Sequence, residues 1–446
     1  MELEQALAAT ALVSPEDFKR FRDHIDAAWV EQALAATGTA SLRKRRLPAE
    51  QVVWLVIGMA LYRNLPVVEV VRSLDLALPA PRAVASSPVP QARERLGDEP
   101  MRWLFEHTGR AWADRSADAH RFRGLSVWAV DGSTLEVPDT PDNRENFGGT
   151  RGPRGSSGYP LARIVTLMAP RSHLLRGACI GGYWQGEVSL AADLWPTVPD
   201  DSVKLVDKGF FGAATLLGLT EHGRNRHWVT RKKAKLRLRT VERPCQRRGD
   251  RRDGCLVGGA ARRPLAAQDL AYACDPVPAK RLSAGSAAHV AAGCDELPRQ
   301  RDDRSLSHER WELDLGYDEI KTKMLERKET LRSQYARLVW QELWEILQAY
   351  NLVRLEAERI AAAVGASPIR ISFIGVLREL RVAFVMWQHT SPGALPERLR
   401  QLEEDQASFI LPERRTNRSF PRAVKVKMSP YAKKRAPVSP TGKGVI

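Results

Sequence analysis

Few cysteines and no long apolar run limit the classes of protein that this sequence can encode. Its 446 residues include five cysteines without a regular spacing, which is not the pattern of a disulfide framework and fits a reducing cytoplasm. The most apolar stretch, Val52–Leu61, has about half the length that a membrane-spanning helix needs. The N-terminus, MELEQALAAT, lacks the basic and apolar regions of a signal peptide. These absences predict a cytoplasmic chain that does not enter a membrane.

Acidic residues are also in short supply, with 53 Asp or Glu against 69 Lys or Arg and a formal net charge of +16. A chain this basic most often has a polyanionic partner, although a basic protein without a role in nucleic-acid binding is the alternative on charge alone. The deficit is greatest after Glu413, where no acidic residue follows and ten residues are Lys or Arg. This tail either extends along DNA or is only a solvated tail.

The first 120 residues, approximately, have the pattern of a helical region. Pro48 stands where a first-turn proline belongs, ahead of AEQVVWLVIGMALYRN, and Asn64 and Pro66 end that helix. The next segment, PVVEVVRSL, predicts a second helix after a short turn. Such a pair is either a helix-turn-helix that reads DNA or a plain helical hairpin. A basic run precedes it and either contacts phosphates or is only a solvated stretch: Arg43, Lys44, Arg45 and Arg46.

From about residue 122 the period of the apolar residues changes from that of helices to that of strands. The segment LSVWAVDGSTLEV alternates like a strand and predicts a turn at its DGS. RIVTLMA, LLRGACIGG, VKLVD and RHWVTRKK predict further strands, and GEVSLAADLW and GFFGAATLLGLTEHG predict helices among them. The chain is strongly helical again from Glu309 to about Val364. The order of these elements predicts an α/β layer.

Two aspartates stand directly after predicted strands. Asp131 ends VWAVD and is followed by Gly132, which leaves room for close approach, and Asp207 ends VKLVD. Either residue alone suits a turn or a helix cap, but two of them on two strands of one sheet also suit phosphodiester cleavage. That reaction needs an activated nucleophile and a stabilised leaving oxygen, and two divalent ions roughly 4 Å apart supply both. Carboxylates are the ligands that a hard ion such as Mg²⁺ prefers.

A third element, HERWELDLGYDEIKTKMLERKE, carries acids and bases together on one helix. At about 100° per residue, Arg310, Asp314 and Lys321 fall within roughly 40° of one another on one face. Glu312 and Glu319 point away from that face. The face either holds a metal ion and the phosphates beside it or is a surface stripe of ion pairs.

Five segments of the chain carry a resemblance: VEQALAATGTASLRKRRLPAEQVVWLVIGMALYRN, PQARERLGDEPMRWLFE, WAVDGSTLEVPDTPDNRENFG, VDKGFFGA and HERWELDLGYDEIKTKMLERKETLRS. Together they resemble the DDE transposases of the bacterial insertion sequence four family. The resemblance covers most of residues 15–235 and 308–365. The set is specific, although no single segment is.

The resemblance implies an RNase H-like catalytic domain with an all-α N-terminal domain, a helical C-terminal part, and a β insertion between the second and third acids. It makes Asp131, Asp207 and Asp314 the catalytic acids that bind two Mg²⁺ ions, for which Mn²⁺ can substitute. It makes Arg310 and Lys321 the residues that contact phosphates beside the cut. It also implies a homodimer on double-stranded DNA, at the bacterial nucleoid, that acts on the terminal inverted repeats of its element and on target DNA.

Two positions depart from the pattern of that family. Ser307 stands where the family has tyrosine, and Asp314 stands where it has glutamate. Aspartate is one methylene shorter, and misplacing a catalytic group by about 1 Å costs on the order of 100-fold in rate. Other members of the wider superfamily use three aspartates, so the site can still form.

Residues 244–306 differ in composition from the rest of the chain. They lack Ile, Phe, Trp, Met, Asn and Thr, and their four cysteines are too widely spaced for the close pairs of a zinc site: Cys245, Cys255, Cys274 and Cys294. A zinc module, a flexible insertion and a stretch translated out of frame between two frameshifts are the three explanations. We favour the last, because out-of-frame GC-rich codons yield Arg, Ala, Gly, Pro and stray Cys. The segment cannot supply alternating strands, which predicts low local order and weak or absent transposition.

The sequence thus predicts five parts: 1–120, a helical N-terminal domain that binds DNA ends; 121–241, the first part of the catalytic domain; 242–307, the aberrant segment; 308–390, the third-acid helix and the helices after it; and 391–446, a basic tail. The predicted function is metal-dependent cleavage at element ends followed by strand transfer. The alternatives are a catalytically inactive DNA-binding remnant and a nuclease of the same fold that cuts but does not join.

Overall fold

A computed structural model describes the chain in the following ranges: 25–40, 48–67, 69–70, 88–152, 155–210, 212, 215–216, 218, 223–230, 309–326, 330–389 and 406–413. One compact unit spans Met1–Leu411, and Pro412–Ile446 form a second. Of the helices in the described ranges, none combines the length and the apolar character needed to cross a membrane.

The helical region that precedes the sheet contains α1 (Ala27–Ala36), α2 (Ala49–Leu61), α3 (Pro88–Leu96) and α4 (Glu99–Ala119). Helix α2 begins after Pro48, as predicted, and nearly all of it is buried because its single charged residue, Glu50, lies in the first turn. Only residues 66, 67, 69 and 70 of the predicted second helix are described. The choice between a DNA-reading pair and a plain hairpin therefore lies outside the described residues.

A mixed sheet follows, with β1 (Ser126–Glu136), β2 (Gly149–Gly152), β3 (Gly155–Ala169), β4 (Leu174–Gly182), β5 (Ser202–Val206) and β6 (Arg226–Thr230). Its strand order is β2-β3-β1-β5-β6, and β4 also pairs with β3. Strands β1, β5 and β6 are parallel, whereas β3 is antiparallel to β1 and to β4. Strand β5 is buried along its whole length, as expected for a parallel strand covered on both faces. The predicted α/β class is confirmed.

The turn predicted at the DGS of residues 131–133 is wrong, because β1 runs through these residues without a break. The strand pairs with β5 as far as Val130, and it pairs with β3 from Ala129 to Glu136. The second partner keeps the backbone extended after the first one ends. Asp131 therefore lies inside a long strand, at the point where its parallel partner stops.

Short helices connect the strands on either side of this point. Helix α5 (Pro141–Phe147) follows β1, and α6 (Glu187–Ala191) precedes β5. The helix predicted from GEVSLAADLW begins at Glu187, but it tightens into a 3₁₀-helix over Ala192–Thr197, which contains Pro196. The helix predicted after β5, over residues 209–223, is described only in part, and residues 215, 216 and 218 are helical.

The C-terminal helices are α7 (Trp311–Asp318), α8 (Ala336–Val364) and α9 (Phe373–His389). Helix α7 continues without a break into a π-helix over Glu319–Met324. Helix α8 is buried along most of its length and packs against α2 and α4, so the N-terminal helices and the C-terminal helices share one core. Residues 242–307 and the tail after Glu413 lie outside the described residues.

Candidate active site

Asp131 and Asp207 lie side by side at the carboxyl end of the parallel strands. Val130 and Val206 are paired across β1 and β5, so the two aspartates occupy the next position on each strand. Both are half-buried, and the backbone N–H of Gly132 donates to Asp131 Oδ1 at 2.8 Å. Two apolar strands thus bring two carboxylates to one edge of the sheet.

Arg310 lies between these two carboxylates. Its Nη1 is 3.9 Å from Asp131 Oδ2 and 3.5 Å from Asp207 Oδ1. The guanidinium carbon is 4.8 Å from the centre of the Trp311 ring, and Nε has no hydrogen-bond partner among the described residues. Both ion pairs are longer than a direct hydrogen bond. The guanidinium therefore neutralises the two acids while keeping donors for another ligand.

The acids at this edge influence one another. The pKa of Asp131 is raised to about 6, mainly by burial and further by the negative charges of Asp314 and Asp207, while the Gly132 amide and Arg310 act in the opposite direction. A carboxyl group in such surroundings gains from any nearby cation. Asp314 is exposed on α7, and its negative charge is one of the influences that raise the pKa of Asp131.

The helix that carries Asp314 is fixed to the sheet beside the first strand. The hydroxyl of Tyr317 donates to the backbone carbonyl of Asp131 at 2.8 Å and lies 2.9 Å from Thr166 Oγ1. Since a tyrosine hydroxyl has one proton, Thr166 is the donor in the second bond. Asp131 and Thr166 are paired across β1 and β3, so one hydroxyl ties the helix to both strands. Gly316 permits this approach, because a Cβ there would lie 3.0 Å from a methionine sulfur on β3.

Lys321 lies beyond the α-helical part of this element. Helix α7 ends at Asp318, and Lys321 is half-buried in the π-helix that follows. Each π-helical turn contains more residues than an α-helical turn, so the spacing of 100° per residue used to predict the shared face of Arg310, Asp314 and Lys321 does not hold after Asp318. The other residues predicted for the site lie outside the described residues: Arg43, Lys44, Arg45, Arg46 and Ser307.

A further carboxylate, that of Glu187, lies over Gly132. A Cβ added at Gly132 would be 2.5 Å from Glu187 Cγ, so only glycine allows this position of the side chain. Arg163 Nη1 donates to Glu187 Oε1 at 2.6 Å. The room that Gly132 was expected to leave beside Asp131 is therefore occupied by Glu187.

The donors at the strand ends are of the kind that a hard divalent ion prefers. Within the described ranges, no three acidic, histidine or cysteine side chains are grouped closely enough to hold a metal ion. Asp131 and Asp207 nevertheless direct two carboxylate oxygens at one cationic group, the guanidinium of Arg310. Carboxylate oxygens are ligands of Mg²⁺. The pair therefore has the chemistry of a divalent-ion site in which an arginine supplies the positive charge.

Several residues around α7 were not identified from the sequence. Tyr317 holds the helix on the first strand, and His173 and Arg354 contact Glu312 and Glu319, the two acids expected to point away from the site. Both acids are buried. The signal in the sequence that could have pointed to these residues is the pair of acids seven residues apart on one side of the helix. Such acids need cationic or hydrogen-bonding partners when they are buried.

Matches to known proteins identify the class to which this chain belongs. Residues 15–106 match the family described as Insertion element 4 transposase N-terminal. The chain is 34% identical over 410 residues to transposase InsG for insertion sequence element IS4 of Escherichia coli (strain K12), covering 90% of this chain and 91% of that protein. It is 36% identical over 225 residues to putative transposase InsZ of the same organism, covering 49% of this chain and 73% of that protein.

These matches define a transposase of a bacterial insertion sequence. Within that class, the chain belongs to the IS4-family transposases. Among solved structures, a piggyBac transposase in a synaptic complex with hairpin DNA is similar at 13% identity and a TM-score of 0.41, covering 90% of this chain and 86% of that chain.

Proposed function

We propose that this IS4-family transposase is a DDE enzyme that uses divalent ions to cleave DNA at the ends of its element and to join the 3′ ends to target DNA. The observation that carries the proposal is the placement of Asp131 and Asp207 at adjacent strand ends, on either side of the cationic Arg310. The order β4-β3-β1-β5-β6, with β5 and β6 parallel to β1, supports an RNase H-like catalytic domain.

In this proposal, Asp131, Asp207 and Asp314 hold two Mg²⁺ ions, for which Mn²⁺ can substitute. Ions bound there would activate water as a nucleophile and stabilise the charge on the leaving oxygen. The electrostatic effect of Asp314 on Asp131 supports its inclusion as the third acid.

Arg310 changes partners in this proposal. Its guanidinium lies near both Asp131 and Asp207 and offsets the repulsion between them. When other cations neutralise the aspartates, the guanidinium binds a phosphate oxygen beside the scissile bond, in the forked geometry that arginine favours. Its unpartnered Nε supports this second role, and Lys321 adds a positive charge further along the same element.

The substrate in this proposal is double-stranded DNA, first at the inverted repeats that end the element and then at the target. The net charge of +16 supports it, because contacts between cationic side chains and phosphates supply most of the non-specific affinity for DNA. The basic run of Arg43–Arg46 and the tail after Glu413 are proposed as phosphate contacts. A homodimer is proposed to hold the two ends together.

A second candidate is a DNA-binding remnant that has lost its catalytic activity. Ser307 and Asp314 replace the tyrosine and glutamate of the family pattern, and residues 244–306 have an aberrant composition. These departures favour the remnant. The coding DNA bears on the origin of the segment, because a frameshift requires that another frame encode β-patterned sequence across this span.

Cleavage and binding measured on the same DNA separate these candidates. The purified full chain is incubated with a labelled duplex that carries one end of its own element, with Mg²⁺ or with EDTA. We expect Mg²⁺-dependent nicking that Asp131→Ala lowers by about 1,000-fold or more, without weakening the gel shift. Asp118→Ala, which changes an exposed aspartate on α4, is the matched control and should cleave normally.

The remaining outcomes each decide against part of the proposal. Binding without cleavage by the unchanged chain identifies the inactive remnant. Cleavage that survives Asp131→Ala contradicts the assignment of the site. Cleavage without joining, when the duplex is supplied already cut, identifies a nuclease of the same fold.

A further inference from the structure

A buried cluster of charged and polar side chains lies behind α7, on the side away from Asp131 and Asp207. We call it the His173 cluster, and its members are His173, Glu312, Glu319, Tyr350 and Arg354. His173 Nε2 is 2.9 Å from Glu312 Oε2, and His173 Nδ1 is 3.3 Å from Glu319 Oε2. Arg354 Nε donates to Glu319 Oε2 at 2.9 Å, and the Tyr350 hydroxyl donates to the same oxygen at 3.0 Å. Every member of the cluster is at least nine-tenths buried.

His173 adopts a backbone conformation that needs support. It lies in the turn between β3 and β4 with φ of +65°, a strained left-handed conformation that residues other than glycine rarely adopt. Its side chain is only 1% exposed. His173 Nδ1 also lies 2.8 Å from Arg354 Nη2, which can only donate, so Nδ1 accepts that bond and Nε2–H donates to Glu312. The strained, buried histidine is therefore held by Glu312 of the third-acid element and by Arg354, which in turn binds Glu319.

Glu312 and Glu319 lie on the same side of the third-acid element, so their contacts hold it from that side. Glu312 and Glu319 are seven residues apart, which is about two turns, so they lie one above the other. Asp314 follows Glu312 by two residues, or about 200° around the helix axis, and so lies on the opposite side. The contacts agree, since Glu312 is buried against His173 while Asp314 is exposed.

The π-helix begins at the residue that the cluster holds most tightly. Glu319 is the first residue of the π-helical segment, and it receives hydrogen bonds from Arg354 and Tyr350 on α8. Lys321 lies two residues further on, so its direction depends on where the π-helix starts. The cluster therefore bears on the orientation of Lys321 as well as on that of Asp314.

We infer that the His173 cluster is a positioning device that sets the rotation of the third-acid helix, so that Asp314 and Arg310 face Asp131 and Asp207. Turning the helix by one residue would pull two buried carboxylates away from His173 and Arg354, and a buried charge that loses its partner is strongly destabilising. Replacing a buried ion pair by apolar groups of similar size often leaves stability unchanged. The cluster therefore contributes orientation more than stability. This inference rests on the proposed metal-dependent function.

Metal affinity measured apart from stability tests the inference. Binding of Mn²⁺ to the full chain is followed by the electron paramagnetic resonance signal of the free ion, and the thermal midpoint is measured without metal. The first variant, His173→Asn, shortens the side chain but keeps a residue type that tolerates left-handed φ. The second, Glu319→Met/Arg354→Met/Tyr350→Phe, replaces the ion pair and its hydroxyl by apolar groups. His120→Asn, at a partly exposed histidine, is the matched control.

We expect that the unchanged chain and His120→Asn bind Mn²⁺ and that Asp131→Asn does not. Each cluster variant that keeps the parent thermal midpoint should bind about tenfold more weakly or worse. Parental affinity in a folded cluster variant overturns the positioning role and leaves the proposed function intact. If the unchanged chain binds no Mn²⁺, or if Asp131→Asn binds it equally well, the proposed function and the positioning role are both overturned.

Discussion

Asp131 is restrained through its backbone as well as through its carboxylate. Its carbonyl accepts a hydrogen bond from Tyr317, and its Oδ1 accepts one from the Gly132 amide. The same tyrosine hydroxyl accepts a hydrogen bond from Thr166 on the neighbouring strand. Tyr317 is almost completely buried, so water cannot replace these bonds. The first predicted acid and the third-acid helix are therefore joined by one side chain.

Removing that hydroxyl should destabilise the protein. Tyr317→Phe leaves the buried Thr166 hydroxyl and the Asp131 carbonyl without this partner, and we expect the free energy of unfolding to fall by about 1–3 kcal/mol. Urea denaturation measures the change. Tyr335→Phe is the control, because Tyr335 is 55% exposed and its hydroxyl can be replaced by water. An equal effect of the two substitutions would contradict the role of Tyr317.

The sequence predicts that Asp131 and Asp207 stand at strand ends, because the signal for each is local: an apolar strand with an acid at its end. It does not suffice for the residues that hold α7. Tyr317 contacts a residue 186 positions away in the sequence, and His173 contacts an acid 139 positions away. No periodicity records such a pairing. The helical pattern shows that Glu312 and Glu319 lie on the side of α7 away from Asp314, but it does not show which residues they contact.

The helices and strands that could be predicted are those that their own amino-acid composition determines. Helix α2 and strand β5 follow from their apolar composition, and both were predicted. Strand β1 was predicted to turn at Gly132, because the DGS tripeptide favours turns. Pairing with β3 overrides that local preference, as tertiary contacts often do. The π-helix after Asp318 was not predicted either, since it coincides with contacts that Glu319 makes to α8.

Helix α8 carries buried acids into the shared core. Glu342 is matched by Arg63 and by the backbone N–H groups of Arg332 and Ser333. Glu345 forms an ion pair with Arg93 at 4.0 Å, and neither of its carboxylate oxygens has a hydrogen-bond partner among the described residues. Burial is the main reason that the pKa of Glu345 is raised to about 8, and Arg93 acts against it.

Glu345 makes the free energy of unfolding depend on pH. Between about pH 4.5 and pH 8, the unfolded chain releases the proton of Glu345 while the folded chain keeps it, so rising pH favours unfolding. We expect Glu345→Gln to be more stable than the parent by about 2–4 kcal/mol near pH 8, and by progressively less toward about pH 5. Urea unfolding across this range measures the difference. Glu94→Gln, at a surface pair with Arg337, should show no such trend, and a flat difference for Glu345→Gln would contradict the account.

At the scale of the whole molecule, the excess of positive charge is unevenly distributed along the chain. Ten Lys or Arg and no acid follow Glu413, whereas the unit up to Leu411 carries the candidate site. Non-specific affinity for DNA depends on the number of phosphates that are neutralised, and it weakens with added salt in proportion to that number. A tail that contacts DNA and a tail that is only solvated therefore differ in a measurable way.

Deleting residues 414–446 should weaken binding to a random-sequence duplex and lower its dependence on salt. If the tail contacts phosphates, the slope of log affinity against log salt should fall by roughly one for each contact removed, measured between about 50 and 200 mM salt. Cleavage of a bound duplex by the shortened chain should be unaffected. An unchanged slope would show that the tail does not contact DNA.

The most direct test of the metal site is anomalous X-ray scattering from crystals of the full chain grown with Mn²⁺. We expect a peak within coordination distance of carboxylate oxygens of Asp131 and Asp207, with the Arg310 guanidinium moved from between them. Asp207→Asn should lose the peak. Anomalous density absent from this edge of the sheet, in crystals that bind Mn²⁺ elsewhere, would contradict the account.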